Sequence, residues 1–364
     1  MRSNVTSGAE MATTPSPRVL HVTQVYAGGI SRAIKSLVEL TPEVEHHLLW
    51  AGNEQPDPTL PFKTVHELPQ SPREMVTAVQ RVKSVVAEVR PDYVHAHSSF
   101  GGVYARLARL AEPVFYEPHC YKFDDRQQLA PMRVIYRLVE QALAPRAART
   151  VVLSPHEEAL ARSLHTRGEV LFLPNVATVL PTEAHPASRF EHGRDVFMIG
   201  RLTGQKDPAY FADVAHRVRK QASDVTFRWI GDVDGVDDGR GARMRTRLEN
   251  AGVRVLGWLD GDALATELSR PGLYFHSAHY EGFPLSILDA AAFEHPIAVR
   301  RIPTFEGMNL PSAASAHDAA ELILRILDGK DEYVSAREGA QRLNATMNKT
   351  AQRSALHALY APVS

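Results

Sequence analysis

The stretch Arg18-Val-Leu-His-Val-Thr-Gln-Val-Tyr-Ala-Gly-Gly-Ile-Ser-Arg-Ala-Ile-Lys-Ser-Leu-Val38 sets the fold. Val19 to Val25 is an apolar run of strand length, Gly28-Gly29 reads as a turn, and Ile34, Leu37 and Val38 recur at helical spacing. This strand-turn-helix rhythm returns along the chain. Met75, Val76, Val79, Val82, Val86 and Val89 share a helical face until Pro91 stops them; Tyr93 to His97 then read as a strand, and Gly101-Gly102 as the opening of a helix. Strand Val114 to Glu117, helix Met132 to Leu143, and strands Thr150 to Leu153 and Leu171 to Leu173 follow. In Ser154-Pro-His-Glu157 the serine caps a helix, proline fits its first turn and glutamate completes a capping box.

Residues 178 to 194 lose apolar periodicity and gain Pro, His and Ser, as a linker does. The alternation then restarts: strand Val196 to Ile199, helix Pro208 to Lys220 behind an Asp207 cap, strand Thr226 to Ile230 and helix Gly241 to Asn250. Strand Val253 to Leu256, helix Asp262 to Leu268, strand Leu273 to His276 and helix Leu285 to Phe293 extend it, while Ala336 to Tyr360 is helical, polar and without an obvious packing partner. Alternating strands and helices imply parallel sheets, so the expected fold class is α/β with two doubly wound, Rossmann-like domains facing across a cleft. The boundaries read as a disordered tail over 1–17, a first domain over 18–178, a linker over 179–194, a second domain over 195–342 and a C-terminal helical segment over 343–364. Met11 also offers an alternative start.

The length of 364 residues exceeds what one core usually supports. Lys plus Arg number 41 against 42 Asp plus Glu, so no broad field draws nucleic acid or an anionic membrane, and any anion must be met by a local site. Cys120 is the only cysteine, which excludes an intramolecular disulfide and fits a reducing, cytoplasmic setting. The first 17 residues lack the apolar core of a secretion signal, and no segment nears the ~18 apolar residues of a membrane span.

Ligands on such sheets sit beyond the strand carboxyl ends, which selects the loops to read. Gly28-Gly29 brings small residues to a helix start, suited to an anion or merely to a tight turn, without the G-x-G-x-x-G fingerprint. Gly200-Arg-Leu-Thr-Gly-Gln-Lys206 puts a planar donor fork and a point charge on one short loop, which suits a diphosphate better than a merely solvated basic loop does. In Glu281-Gly-Phe-Pro-Leu-Ser-Ile-Leu-Asp289 the amides after Pro284 stand unpaired at a positive helix end, flanked by two carboxylates able to accept from sugar hydroxyls. Tyr116-Glu-Pro-His119 projects His119 from a strand end.

Other features weigh less. Asp232-Val-Asp234 looks like a diphosphate-metal pair but lies in a Gly- and Asp-rich turn. His95-Ala-His97 shares one strand face without a third partner at ligand spacing, so no metal is expected. Met132 and Tyr136, on the helix before Arg146 and Arg149, suit a lipid surface or ordinary core packing.

Taken in order, these motifs resemble glycosyltransferase family 4, retaining enzymes of the GT-B fold, over nearly the whole chain from Arg18. The family's Gly-Gly turn, middle-strand His, G-R-L-x-x-x-K loop and E-G-F-P-x-x-x-x-E stretch match Gly28-Gly29, His119, Gly200 to Lys206 and Glu281 to Asp289. The resemblance implies that Arg201 and Lys206 hold the donor diphosphate and Glu281 the donor sugar. It also implies that Gly282, Phe283, Pro284, Leu285 and Ser286 touch sugar and phosphate, that Asp289 meets the ribose, and that Gly257-Trp258 lie near the base. His119 would support the transition state beside the sugar. Asp289 stands where the family has Glu, one methylene shorter, and Val176 follows Asn175 where glycine is common. Arg300-Arg301 replaces small residues.

The activity so implied is metal-independent transfer, with retention, from a nucleoside diphosphate sugar to a hydroxyl. UDP is the expected nucleotide, and the acceptor a sugar, a lipid-linked glycan or a small molecule. The nucleotide sugar is a co-substrate and no other cofactor is expected; partners exclude nucleic acid and admit at most peripheral membrane contact, at the inner face. The alternatives are a sugar-nucleotide epimerase on the same scaffold, a non-catalytic sugar-nucleotide-binding protein, and a metal-dependent transferase using Asp232 and Asp234.

Overall fold

A computed structural model describes residues 16–71, 73–187, 193–233 and 239–362. The first domain is a sheet of β1 (Arg18–Thr23), β2 (Glu45–Trp50), β3 (Phe62–Glu67), β4 (Tyr93–His97), β5 (Val114–Glu117), β6 (Arg149–Val152) and β7 (Glu169–Phe172), in the order β3-β2-β1-β4-β5-β6-β7. Its helices are α1 (Gly29–Leu40), α2 (Met75–Val89), α3 (Ser98–Ala108), α4 (Ala130–Leu143) and α5 (Pro155–Ser163). The second sheet, ordered β10-β9-β8-β11-β12-β13, uses β8 (Asp195–Ile199), β9 (Thr226–Ile230), β10 (Val253–Val255), β11 (Leu273–His276), β12 (Ile297–Arg300) and β13 (Ser312–Ala313). With it go α6 (Pro208–Gln221), α7 (Arg240–Asn250), α8 (Gly261–Leu268), α9 (Leu285–Ala292), α10 (Ala316–Asp328), α11 (Lys330–Thr346) and α12 (Lys349–Leu359). Every pairing between these strands is parallel, so this is the expected pair of doubly wound domains. Strand order reverses direction between β1 and β4 and between β8 and β11, and the crevices beside those switch points receive ligands in this architecture.

Strand alternation assigns the two faces of the first sheet. Leu20 and Val22 join the core under α2 and α3, while Val19 packs with Leu37, Phe115 and Leu356 on the other side. His21, two residues along from Val19, therefore points with His95 and His97 into the α1 side.

Three differences from the sequence reading have physical causes. Strands β2, β3, β12 and β13 lie where no strand is legible: His46-His47 interrupt β2, β3 alternates burial only weakly at the sheet edge, and β13 is two residues long. Helix α3 begins at Ser98, at φ 65°, three residues before Gly101. Gly101 and Gly102 serve packing instead: a Cβ on Gly102 would lie 2.1 Å from the Tyr116 ring, and one on Gly101 2.8 Å from the Val22 carbonyl oxygen. Finally, the C-terminal helix has a definite seat, since α12 crosses back to the first domain. Ser36 donates to the side-chain Oε1 of Gln352 at 2.7 Å, the Gln352 Nε2 donates to the Pro174 carbonyl, and Arg149 caps the end of α12 at the Ala361 carbonyl, 2.9 Å away. Tyr360 stacks on Tyr93 and Phe115. The chain thus closes on itself, tying the second domain to the first at a second point beyond the linker. The described part of that linker holds no helix or strand, and residues 1–15 of the expected tail lie outside the described residues.

Candidate active site

One wall of the cleft comes from the loops after β8 and β11. Lys206 closes the first loop and Glu281 opens the second, and the Lys206 ammonium hydrogen-bonds Glu281 Oε1 in a nearly buried site. His276 Nε2, at the end of β11, lies 3.4 Å from the same oxygen, Gln205 donates to Oε2 at 3.3 Å, and Thr304 donates to the Glu281 carbonyl at 2.7 Å. Burial alone would raise the Glu281 carboxyl; the Lys206 ammonium and His276 hold it down at about 2. Behind it a chain of hydroxyl and imidazole groups runs from His276 Nδ1 through Tyr274 to Ser286 at 2.9 and 2.8 Å, fixing the first turn of α9. No side chain caps α9, whose first amides lie after Pro284. Asp207 caps α6 by accepting from Tyr210 N, and Arg300 donates to Asp207 at 2.7 Å and covers the Tyr210 ring. Arg300 therefore braces the phosphate-type loop from behind. Arg201 sits half-buried on that loop.

The facing wall is a buried row of imidazoles. His46 Nδ1 meets His21 Nε2 at 3.0 Å, His21 Nδ1 meets His97 Nε2 at 3.0 Å, and His97 Nδ1 meets His119 Nε2 at 3.1 Å. At the cleft end stands Glu117, with His119 Nδ1 3.4 Å and His95 Nε2 3.1 Å from its oxygens. Burial lowers His46 to about 4 and His97 to about 3, and lowers His21 and His119 as well, so the rings are neutral at pH 7. Burial would raise Glu117 too, but His119, His95 and His97 outweigh it and keep the carboxylate ionised. The far end faces acceptors: His46 Nε2 lies 3.2 Å from the Thr41 carbonyl and 3.0 Å from the Thr41 hydroxyl, which itself donates to the Leu37 carbonyl at 2.7 Å, so this nitrogen carries the hydrogen. At the other end His97 Nδ1 and His119 Nδ1 lie 3.3 and 3.4 Å from Glu117, so both ends require an outward N–H and the row does not run in a single direction. His95-Ala-His97 thus does have further partners, drawn from β1 and the β5 loop: the ligand-type atoms of His21, His95 and His97 lie within 4.8 Å of one another, as do those of His97, Glu117 and His119. Sequence spacing missed them because they come from separate strands.

The walls touch at glycine. A Cβ on Gly282 would lie 2.8 Å from the His119 carbonyl oxygen and 2.9 Å from its carbon, so only glycine lets the two loops meet. His119 itself has φ 55°, and both of its ring nitrogens are engaged inside the first domain; what it turns toward the second is its backbone. Asn175 donates to the Phe283 carbonyl at 2.9 Å, a second bridge between the domains.

The remaining expected residues fall differently. Asp289, expected at a ribose, is fully buried: Arg32 of α1 pairs with Oδ2, while the Thr178 and Val179 amides donate to Oδ1 at 2.7 and 3.1 Å. Its shorter side chain clasps the linker to both domains and leaves no oxygen open to the cleft. The Gly28 amide is taken by Glu54 Oε1 at 2.7 Å, and Ser31 holds the other carboxylate oxygen, so an acid from the β2 side occupies the start of α1. A Cβ on Gly28 or Gly29 would meet nothing within 4 Å, which leaves this turn facing open space. Gly257, at φ 75°, bridges to Gly231, and Trp258 is 52% exposed with its indole donating to Val233 O. Asp232 pairs with Arg245; Asp234, Asp237 and Asp238 lie outside the described residues.

Comparison with known proteins agrees with this geometry. Residues 23–176 match the Glycosyl transferase 4-like domain, and residues 193–329 match Glycosyl transferases group 1. The UDP-Gal:alpha-D-GlcNAc-diphosphoundecaprenol alpha-1,3-galactosyltransferase of Escherichia coli is 24% identical over 254 residues, which cover 62% of this chain and 64% of that enzyme. The match thus spans a little under two thirds of that relative's length. Among solved structures, sucrose-phosphate synthase from Thermosynechococcus elongatus superposes with a TM-score of 0.77 at 18% identity, covering 95% of this chain and 98% of that one. Anabaena HepE in complex with UDP-glucose gives 0.73 at 14% identity, with 94% and 99% covered. With its two matched domains on this two-sheet scaffold, the chain belongs to the glycosyltransferases of the GT-B fold.

Proposed function

We propose that the protein moves a sugar from a nucleoside diphosphate sugar, with UDP as the nucleotide, to a hydroxyl acceptor, retaining the anomeric configuration and using no metal. The observation that carries this reading is the Lys206–Glu281 pair: a cation and an anion from loops 75 residues apart, nearly buried, at the point where Gly282 meets the His119 peptide. Chemically, the departing diphosphate develops negative charge, and Lys206, Arg201 and the uncapped start of α9 supply fixed positive charge and amide donors without a metal. Glu281, ionised far below neutral pH, stands ready to accept from sugar hydroxyls. Retention rests on the resemblance to family 4. The galactosyltransferase relative, named for a diphosphoundecaprenol-linked substrate, favours a lipid-linked acceptor and a place at the cytoplasmic membrane face.

Lys206→Ala and Glu281→Ala should each abolish turnover in a fold unchanged by circular dichroism; near-normal activity of both variants would sink the assignment. An epimerase on this scaffold would convert the donor alone into a new sugar nucleotide, which NMR of a donor-only incubation detects. Activity in the presence of a chelator is the expected result, and its loss would remove metal independence. A thermal-shift screen of nucleoside diphosphates identifies the base, since a ligand at 100 times its Kd adds about 2.7 kcal/mol.

A further inference from the structure

Helix α4 is mounted inside out. Its fully buried residues are Glu140 and Leu143, and Glu140 is held there by Arg106 at 2.9 Å and the Tyr116 hydroxyl at 2.8 Å. Its solvent side carries Met132, Val134, Ile135, Leu138 and Val139, with Leu129 just before it; Ile135 is 50% and Leu138 58% exposed. A helix of a globular domain normally turns such a stripe inward, and an exposed apolar patch of this kind marks an interaction surface.

The charges around the stripe identify what it meets. Residues 126–149 contain five arginines and a single acid, the buried Glu140, in a chain whose formal net charge is only −1. Arg126, Arg137 and Arg146 are exposed, and Arg133 and Arg137 are steered by the Phe123 carbonyl and the Ser163 hydroxyl at 3.0 and 3.1 Å. Two copies of this face would set arginine against arginine, whereas anionic lipid offers both hydrocarbon and negative headgroups. Among the described residues no helix is long and apolar enough to cross a membrane, so contact is by lying on the surface. The helix also adjoins the cleft: the turn leading into it reaches the second domain through Lys122 to the Tyr280 hydroxyl at 3.5 Å and Asp125 to His279 at 3.4 Å.

We propose that α4 is a membrane-docking helix that beds its apolar stripe into an anionic bilayer and sets the mouth of the cleft at the lipid surface. This deepens the reading of a lipid-linked acceptor and rests on it. The cleft then meets its acceptor by lateral diffusion in the membrane.

The full chain is tested by co-sedimentation with vesicles of equal parts phosphatidylcholine and phosphatidylglycerol, and with phosphatidylcholine alone. Binding is expected to the anionic vesicles and to weaken in high salt. The Ile135→Glu/Leu138→Glu variant should lose it by roughly tenfold or more, and Arg126→Gln/Arg137→Gln by a smaller factor, each with unchanged melting temperature and unchanged UDP thermal shift. Absence of binding by the parent chain, or undiminished binding by the glutamate variant, overturns the proposal. So does a parent dimer that the glutamate variant converts to monomer, which would give this face to a second copy. The UDP shift separates the two readings: vesicle binding without any nucleotide response refutes the transferase and leaves the docking surface standing.

Discussion

The two walls of the cleft solve one problem by opposite means. Each holds a carboxylate out of water, Glu117 in the first domain and Glu281 in the second. The second wall neutralises its acid with a full cation, Lys206. Among the described residues the first wall pairs no Lys or Arg with Glu117, whose oxygens lie instead 3.1, 3.3 and 3.4 Å from nitrogens of His95, His97 and His119. A buried ion pair survives as long as both charges do; a row of neutral rings survives only while none of them is protonated. The wall with the full ion pair is thus the one that keeps its charges over a wide pH range.

Glu281→Gln leaves Lys206 without its counter-ion at the donor position and should lower kcat by ~10²–10³ with little loss of melting temperature; equal loss of stability and rate would make this wall structural. Glu117→Gln should do the reverse, costing about 2–3 kcal/mol in urea unfolding because the row loses its anchor and buried donors lose partners, with a smaller change in kcat.

Acid separates the walls next. His21, His46, His97 and His119 have folded pKa values below the unfolded ~6.5, so between those values the unfolded chain binds more protons. Their contribution is present above pH ~6.5 and is lost as pH falls toward about 3, at up to ~1.4 kcal/mol per unit per ring. Glu281 contributes above its unfolded value, near ~4.3, and loses that only on the way to about 2. Unfolding midpoints should therefore start to drop just below pH 6.5, carried by four rings of the first wall against His276 alone in the second, and a profile flat to pH 5 would contradict the neutral row. The smallest effect on rate belongs to Gly282→Ala, whose new Cβ must push the His119 peptide back: a roughly tenfold fall in kcat is expected, together with a lowered melting temperature.

Much of the second wall was legible because its chemistry is local in sequence. Gly200 to Lys206 and Glu281 to Asp289 are single loops following single strands, and the Asp207 cap and Pro284 mark their helix starts. Most of the first wall was not. Its row takes one residue from each of β1 and β2 and others from β4, β5 and the loop beyond, and β2 itself was hidden by the very histidines it contributes. Asp289 shows the same limit in a readable motif. Its position in the stretch was plain, yet Arg32 and the linker amides that surround it lie more than a hundred residues away.

What the sequence determined alone was the alternation of strand and helix, hence two parallel doubly wound sheets, and the two cation- and carboxylate-bearing loops of the second domain. Periodicity and caps are properties of neighbouring residues, and such local preferences are written consecutively. Tertiary packing alone settled that α12 returns to the first domain, that α4 turns its apolar stripe outward, and that His95, His97 and His119 meet at Glu117 with His21 and His46 in line behind them. These depend on strand order and on which face each strand presents, and parallel crossovers place residues from distant segments side by side with no trace in their spacing.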